Sequence, residues 1–212
     1  MNIGIIGSGN VGKTLGKGLI QAGYPTLISS RDPLHSKHYT WKQEVDSNGD
    51  IVSFNKVIRF GDIIILALPW SCVEDVLETI DHQYMKNKIV IDVTNAVTFS
   101  NGPRLLYETT SAGETVQQLL PLSHVVKTLN TVSDKVMVRP SFEDGTPTMF
   151  VSGNDNHSKK QVEMVLNHLG WSDIIDLGDI RQSRLQESIM VACVISEIQR
   201  KVTASSFSLL TI

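Results

Sequence analysis

Three glycines near the start of the chain, Gly7, Gly9 and Gly12 in "GIIGSGNVGKTLGKGLI", have the spacing G-x-G-x-x-G. They follow an apolar run, Ile3, Ile5 and Ile6, and precede Val11, Leu15 and Leu19 at helical spacing, so they read as the turn of a strand–turn–helix unit. In that context Gly7 makes a tight turn, Gly9 lets the backbone come close to a pyrophosphate, and Gly12 lets the helix pack on the strand. Ser8, Asn10 and Val11 complete the turn, whose free amides sit at the positive end of the helix and face phosphates.

A second chemical group lies about 20 residues on. A fold that binds NAD usually carries Asp or Glu there for the ribose 2′-hydroxyl. This chain has Ser30 and Arg31 instead, with Asp32 beside them and Lys37 and His35 close by in sequence. An acid would repel a 2′-phosphate, whereas a guanidinium binds it through paired charge-assisted bonds. NADP(H) is therefore favoured over NAD; the alternative is that Arg31 is a solvated surface residue and Asp32 the ribose ligand. A third group comes from the expected strand ends: Ala67, Leu68 and Pro69; Asn95 and Ala96; Asn130 and Thr131. Ligands of open α/β sheets bind at such ends, where the two asparagine amides would fix a nicotinamide carboxamide. No Ser/His/Asp arrangement and no acid/base pair is legible, and catalytic residues stay unassigned. Hydride transfer between a nicotinamide and a flavin-like ring needs chiefly alignment of the two rings.

These groups need parallel strands to hold them, and the chain alternates strand-like and helix-like segments accordingly. "PTLISSR" reads as a short strand, and the polar stretch from His35 to Asp50 as a helix and a loop. "GDIIILALP", "NKIVIDVTNA", "SHVVKTLNTV" and "PTMFVSGN" are continuous apolar runs, as strands buried on both faces require. Val162, Val165, Leu166 and Leu169 form a helical stripe closed by Gly170. The expected fold is an α/β Rossmann-type, doubly wound, mostly parallel sheet: residues 1–178 as the NADP-binding domain, and 179–212 as a C-terminal helical segment. Ile189 to Ile195 is an apolar run that calls for cover, most simply from a second copy in a homodimer.

Bulk composition narrows the partners. With 19 basic and 22 acidic residues and a net charge of −3, the chain is not expected to bind nucleic acid or a membrane surface. No run is long enough to span a bilayer, and a strand starting at Ile3 leaves no room for a signal peptide, so a cytoplasmic location is expected. Cys72 and Cys193 are far apart and read as ordinary small apolar residues; the six histidines show no metal-ligand spacing and suit surface or capping roles, so no metal site is expected.

The ordered motifs "IGIIGSGNVGKTLGKGL", "ISSRDP", "GDIIILALPW", "VIDVTNA", "HVVKTLNTV", "FVSGNDNHSKKQVEMVLNHLGW" and "IIDLGDIRQSRLQES" resemble the NADP oxidoreductases dependent on the deazaflavin coenzyme F-420. They also resemble the related cytosolic NADPH-binding domain of six-transmembrane ferric reductases. The resemblance runs to about Glu187 and implies that the stretch at Ser30 and Arg31 holds the 2′-phosphate. It also implies that Ala67 to Pro69 and Asn95 to Ala96 line the nicotinamide half, and that the small-molecule acceptor is a flavin or deazaflavin. In the pattern of deazaflavin-using members a histidine stands at the place of Asn130; Lys127, Asn130 and Thr131 are more similar to bacterial homologues of unassigned acceptor and to the ferric reductase domains. Two other readings remain open: a small imine or hydroxy-acid reductase, which usually needs a large helical domain, and a non-catalytic NADPH-binding redox sensor. Arg184 would either grip an anionic substrate or the phosphate tail of a flavin, or pair with Glu187 one helical turn later.

Overall fold

The structure, a computed structural model, describes residues 1–45 and 47–210. The first three strands, β1 (Ile3–Ile6), β2 (Thr26–Ser29) and β3 (Gly49–Val52), alternate with helices α1 (Asn10–Gln21), α2 (Tyr39–Glu44) and α3 (Phe54–Phe60). The second half brings β4 (Ile63–Leu66), α4 (Val73–Glu78), β5 (Ile89–Asp92), a small hairpin β6 (Val97–Thr98) and β7 (Arg104–Leu105), and α5 (Ala112–Leu119). It ends with β8 (His124–Lys127), β9 (Thr148–Gly153), α6 (Asn156–His168), β10 (Asp173–Asp176) and α7 (Ser183–Arg200).

Eight strands form one sheet in the order β10-β9-β8-β5-β4-β1-β2-β3, and every neighbouring pair is parallel except β8 with β9. Side chains alternate across a strand, and the apolar runs divide accordingly. Ile63, Ile65, Ile89 and Ile91 join the core on the α1 and α6 face, while Ile64, Leu66 and Val90 join the core on the α4 and α5 face. Both faces are covered, which is why the runs are continuous rather than alternating.

The sheet is doubly wound and mostly parallel, as the sequence leads one to expect. The stripe on α6 is buried at Val162, Val165 and Leu166, Asp155 caps the helix by accepting from Ser158 N, and Gly170 turns the chain with φ +98°. Three features were not legible. The His35–Asp50 stretch holds the expected helix, α2, but also a short 3-10 turn, Ser36–His38, and leads into the edge strand β3, only two residues of which are buried. The antiparallel direction of β9 follows from a β8–β9 connection that holds only one 3-10 turn, Asp134–Val136, and no crossover helix. The two-residue strands of the β6–β7 hairpin are too short to leave a periodic signal.

In α7 the apolar run divides: Met190 and Cys193 turn inward beside Ser183, Gln186 and Glu187, while Leu185, Ile195 and Ile198 remain exposed. Among the described residues no helix is long and apolar enough to cross a membrane.

Candidate active site

The C-terminal ends of β1, β2, β4, β5 and β8 line one edge of the sheet, and the three glycines at the tip of β1 differ in what surrounds them. Gly7 has φ +120°, and a Cβ there would stand 2.1 Å from Ala67 O, so β1 and the segment after β4 are in backbone contact. A Cβ on Gly12 would stand 1.9 Å from Gly7 O, which holds α1 against the turn. A Cβ on Gly9 would meet nothing within 4 Å, so the space in front of it is open. Gly9 is also the N-cap of α1, no side chain caps the helix, and its first turn holds no acid. Open space before uncapped amides fits a phosphate-bearing ligand, with Ser8, Asn10 and Val11 on the same half-open turn. Ser29 Oγ accepts from Gly7 N at 3.2 Å and ties this turn to β2.

Beyond β2 the chain gathers cations. Arg31 and Lys37 are exposed, and Arg31 has no hydrogen bond or ion pair among the described residues. Lys13 of α1 donates through Nζ to Lys37 O at 2.7 Å, and Trp41 Nε1 donates to Lys13 O at 2.9 Å, latching this loop to α1. Ser30 lies half-buried behind Arg31, its Oγ 3.0 Å from His38 Nε2. His38 is 1% exposed, and its Nδ1 has no partner. Burial first, then the charges of Lys13, Lys37, His35 and Lys42, pushes its imidazole below the usual histidine range, so it is neutral at pH 7. A surface or capping role suits His35, which accepts from Lys37 N, but not His38.

The other end of the edge is closed. Ala67 and Leu68 are half-buried and Pro69 exposed, followed by Trp70, whose ring meets Tyr107 edge-on at 5.9 Å beside the hairpin. Asn95 and Asn130 come together and bond each other: Asn95 Nδ2 donates to Asn130 O at 3.0 Å, and Asn130 Nδ2 donates to Asn95 Oδ1 at 2.9 Å. Asn130, Thr131 and Ala96 are buried. Leu129 just before them has φ +59°, a conformation rare for a bulky side chain.

Beneath these loops lies a buried ionic cluster that the sequence reading missed. Lys127 Nζ is 2.9 Å from Asp92 Oδ2 and 3.3 Å from Glu187 Oε1, with side-chain exposures of 0%, 0% and 3% respectively. The same ammonium donates to Thr94 O, and Asp92 Oδ1 accepts from Thr94 N and Oγ1 at 2.9 and 2.7 Å. Glu187 also accepts from the first amides of α5, Ala112 N at 3.2 Å and Gly113 N at 3.4 Å. One signal was available: Asp92 and Lys127 close neighbouring apolar runs with opposite charge, and the sheet pairs those two positions.

Glu187 is therefore not the partner of Arg184. Arg184 instead forms a two-pronged pair with Glu114 of α5, at 2.8 and 2.6 Å. Neither cysteine is a matched pair: Cys193 is buried, its thiol pushed up to about 11 by burial, while Cys72 is exposed on the turn after Pro69, unlike a core residue. Among the described residues no cluster of three His, Cys, Asp or Glu could hold a metal.

A family profile described as "NADP oxidoreductase coenzyme F420-dependent" matches residues 2–96. A solved structure from Arthrobacter sp. FB24, a proposed F420-dependent NADP-reductase, superposes with a TM-score of 0.92 at 30% identity over 100% of both chains. The F420-dependent NADP reductase of Methanocaldococcus jannaschii is 32% identical over 61% of this chain and 59% of its own. The human metalloreductase STEAP2 is 26% identical over 89% of this chain, which spans only 36% of that relative's length. With the full-length match in sequence and fold beside the glycine turn and strand-end crevice, the chain belongs to the coenzyme F420-dependent NADP oxidoreductase family.

Proposed function

We propose that the protein transfers hydride between NADPH and a flavin or deazaflavin. The observation that carries this reading is the partnerless Arg31 beside Ser30, one strand away from the open turn at Gly9. On this reading the amides of the Gly7–Gly12 turn, with Ser8, Asn10 and Val11, bind the pyrophosphate, and Ser30, Arg31 and Lys37 bind the 2′-phosphate. Ala67 to Pro69, Asn95, Ala96, Asn130 and Thr131 bound the nicotinamide. Because Asn95 and Asn130 already satisfy each other, they act as a rigid wall more than as free donors. Bound NADPH supplies the hydride; the chain binds, orients and shields. No free acid or base is needed at the closed end, where Lys127 is bonded to both Asp92 and Glu187 in the core. Pro69 and the Trp70–Tyr107 pair offer an apolar, aromatic border suited to a planar acceptor, and Arg184 is engaged by Glu114 rather than held ready for a small carboxylate.

The test is stopped-flow absorbance at the NADPH band with free FMN, a deazaflavin, a keto acid and a cyclic imine. Faster oxidation with either ring compound is expected; faster turnover with the keto acid or imine overturns the acceptor reading. Tight NADPH binding without turnover on any of the four would instead make the chain a binding module.

We further propose that residues 1–178 are the cofactor-binding domain, that the C-terminal segment from 179 packs on it over its described residues, to 210, with 211–212 lying outside them, and that a second copy covers the exposed Leu185, Ile195 and Ile198 of α7 in a cytoplasmic homodimer. Light scattering at micromolar concentration should show a dimer.

A further inference from the structure

The cation-rich loop after β2 contains one buried group that the cofactor reading leaves unused. His38 sits under Ser30 with 1% of its surface exposed, on a 3-10 turn that would ordinarily face solvent. Its Nε2 is 3.0 Å from Ser30 Oγ, and its Nδ1 is one of three buried side-chain polar atoms without a partner among the described residues. An unpaired buried nitrogen costs stability, so its retention asks for a role.

The hydrogen-bond bookkeeping around Ser30 supplies one. Ser30 Oγ accepts from Asp32 N at 3.2 Å and donates to Asp32 O at 3.0 Å. A neutral imidazole carries one N–H. If that hydrogen were on Nδ1, it would point at no acceptor among the described residues. The Ser30 hydroxyl has one hydrogen and gives it to Asp32 O, so its contact with Nε2 is a hydrogen bond only if Nε2 is the donor. The hydrogen therefore sits on Nε2 and is donated to Ser30 Oγ. With both lone pairs of Oγ filled by His38 and Asp32 N, the hydroxyl can act only as a donor. Its proton rests on Asp32 O until a stronger acceptor arrives.

We infer that His38 is a specificity-determining positioning residue: by donating to Ser30 Oγ it commits the Ser30 hydroxyl to donate to the 2′-phosphate of NADPH. The inference rests on the assignment of Ser30 and Arg31 to the 2′-phosphate. His38 touches no ligand itself. The Lys13 and Trp41 latch holds the turn that carries it against α1, so the pairing is preorganised rather than assembled by the ligand.

The experiment measures dissociation constants of NADPH and NADH by titration for wild type, H38L, H38Q, H38N, S30A and the S30A/H38L double variant. H38L should weaken NADPH by about 10-fold and leave NADH unchanged. H38Q, whose amide N–H can take the place of Nε2–H, should stay within about 3-fold of wild type, whereas the shorter H38N should resemble H38L. The double variant should be no weaker than S30A, since His38 acts through Ser30. Equal losses for NADPH and NADH, an NADPH:NADH ratio untouched by H38L, or additive losses in the double variant would each overturn the inference alone. A wild-type protein without preference for NADPH would overturn the cofactor reading and this inference with it. Should H38L fail to fold, the contrast between H38Q and H38N decides.

Discussion

The two ends of the sheet edge treat charge in opposite ways. After β2, Arg31 and Lys37 stand exposed and Arg31 is unpaired among the described residues, with Lys13 donating to Lys37 O. After β5 and β8, Lys127 is fully buried and its ammonium is spent on Asp92, Thr94 O and Glu187, while the two asparagine amides close on each other. A cation in water can remain unpaired at little cost, but a buried one cannot. The open end therefore holds binding capacity in reserve, and the closed end holds shape. On the proposed reading, electrostatic recognition of the cofactor belongs to the first and ring alignment to the second.

The largest effect should come from breaking the closed end. K127M would strand two carboxylates in the core, and removing one partner from a buried ion cluster costs about 3–5 kcal/mol. Urea unfolding should show that loss. A variant within about 1 kcal/mol of wild type would mean that Asp92 and Glu187 are satisfied without Lys127, and that charge does not hold this end together.

At the open end, G9V should do the reverse, sparing the fold and abolishing binding. The new side chain meets no protein atom at its Cβ but stands where the backbone must approach the pyrophosphate, so NADPH should weaken about 100-fold or more with circular dichroism unchanged. G12A, whose Cβ would stand 1.9 Å from Gly7 O, should lower Tm as well. Normal binding by G9V would remove the turn from the site. A smaller effect, specific to one cofactor, is expected of R31A: about 1.5–3 kcal/mol lost for NADPH and little for NADH. Equal losses in the two titrations would take Arg31 out of the pocket.

The open end was far more legible in the sequence than the closed end, for a physical reason. The glycine turn, Ser30 and Arg31 act locally, and their spacing alone suggests their neighbours. The strands β1, β4, β5 and β8 were legible too, because burial on both faces makes an unbroken apolar run. The ionic cluster depends on three elements brought together by the fold, with Lys127 separated from Asp92 by 35 positions. Asn95 and Asn130 were legible as strand-end residues, but their mutual bonding was not, since it depends on β5 lying beside β8. His38 was hidden by its surroundings: a histidine in a polar stretch gives no sign that α1 and α2 will bury it.

The smallest effect concerns Arg184, which could belong to either end. Its guanidinium is exposed, but both prongs lie on Glu114, whose side chain is only 12% exposed and also accepts from Ser111 Oγ at 2.8 Å. The Arg184 hydrogen bond, ahead of the Ser111 contribution, holds the Glu114 carboxyl below the usual carboxylate range. A carboxyl lowered in the folded state adds stability above its unfolded pKa, and that stability is lost as pH falls through the folded value. R184A should therefore lower Tm slightly near pH 7, and the gap to wild type should close as the pH drops below about 4. NADPH affinity should not change, because this pair joins α7 to α5 and leaves the open end untouched. A gap in Tm that persists in acid would mean that Arg184 stabilises by packing its stem rather than by pairing. A loss of NADPH affinity would put its guanidinium in the cofactor site and blur the division between the two ends.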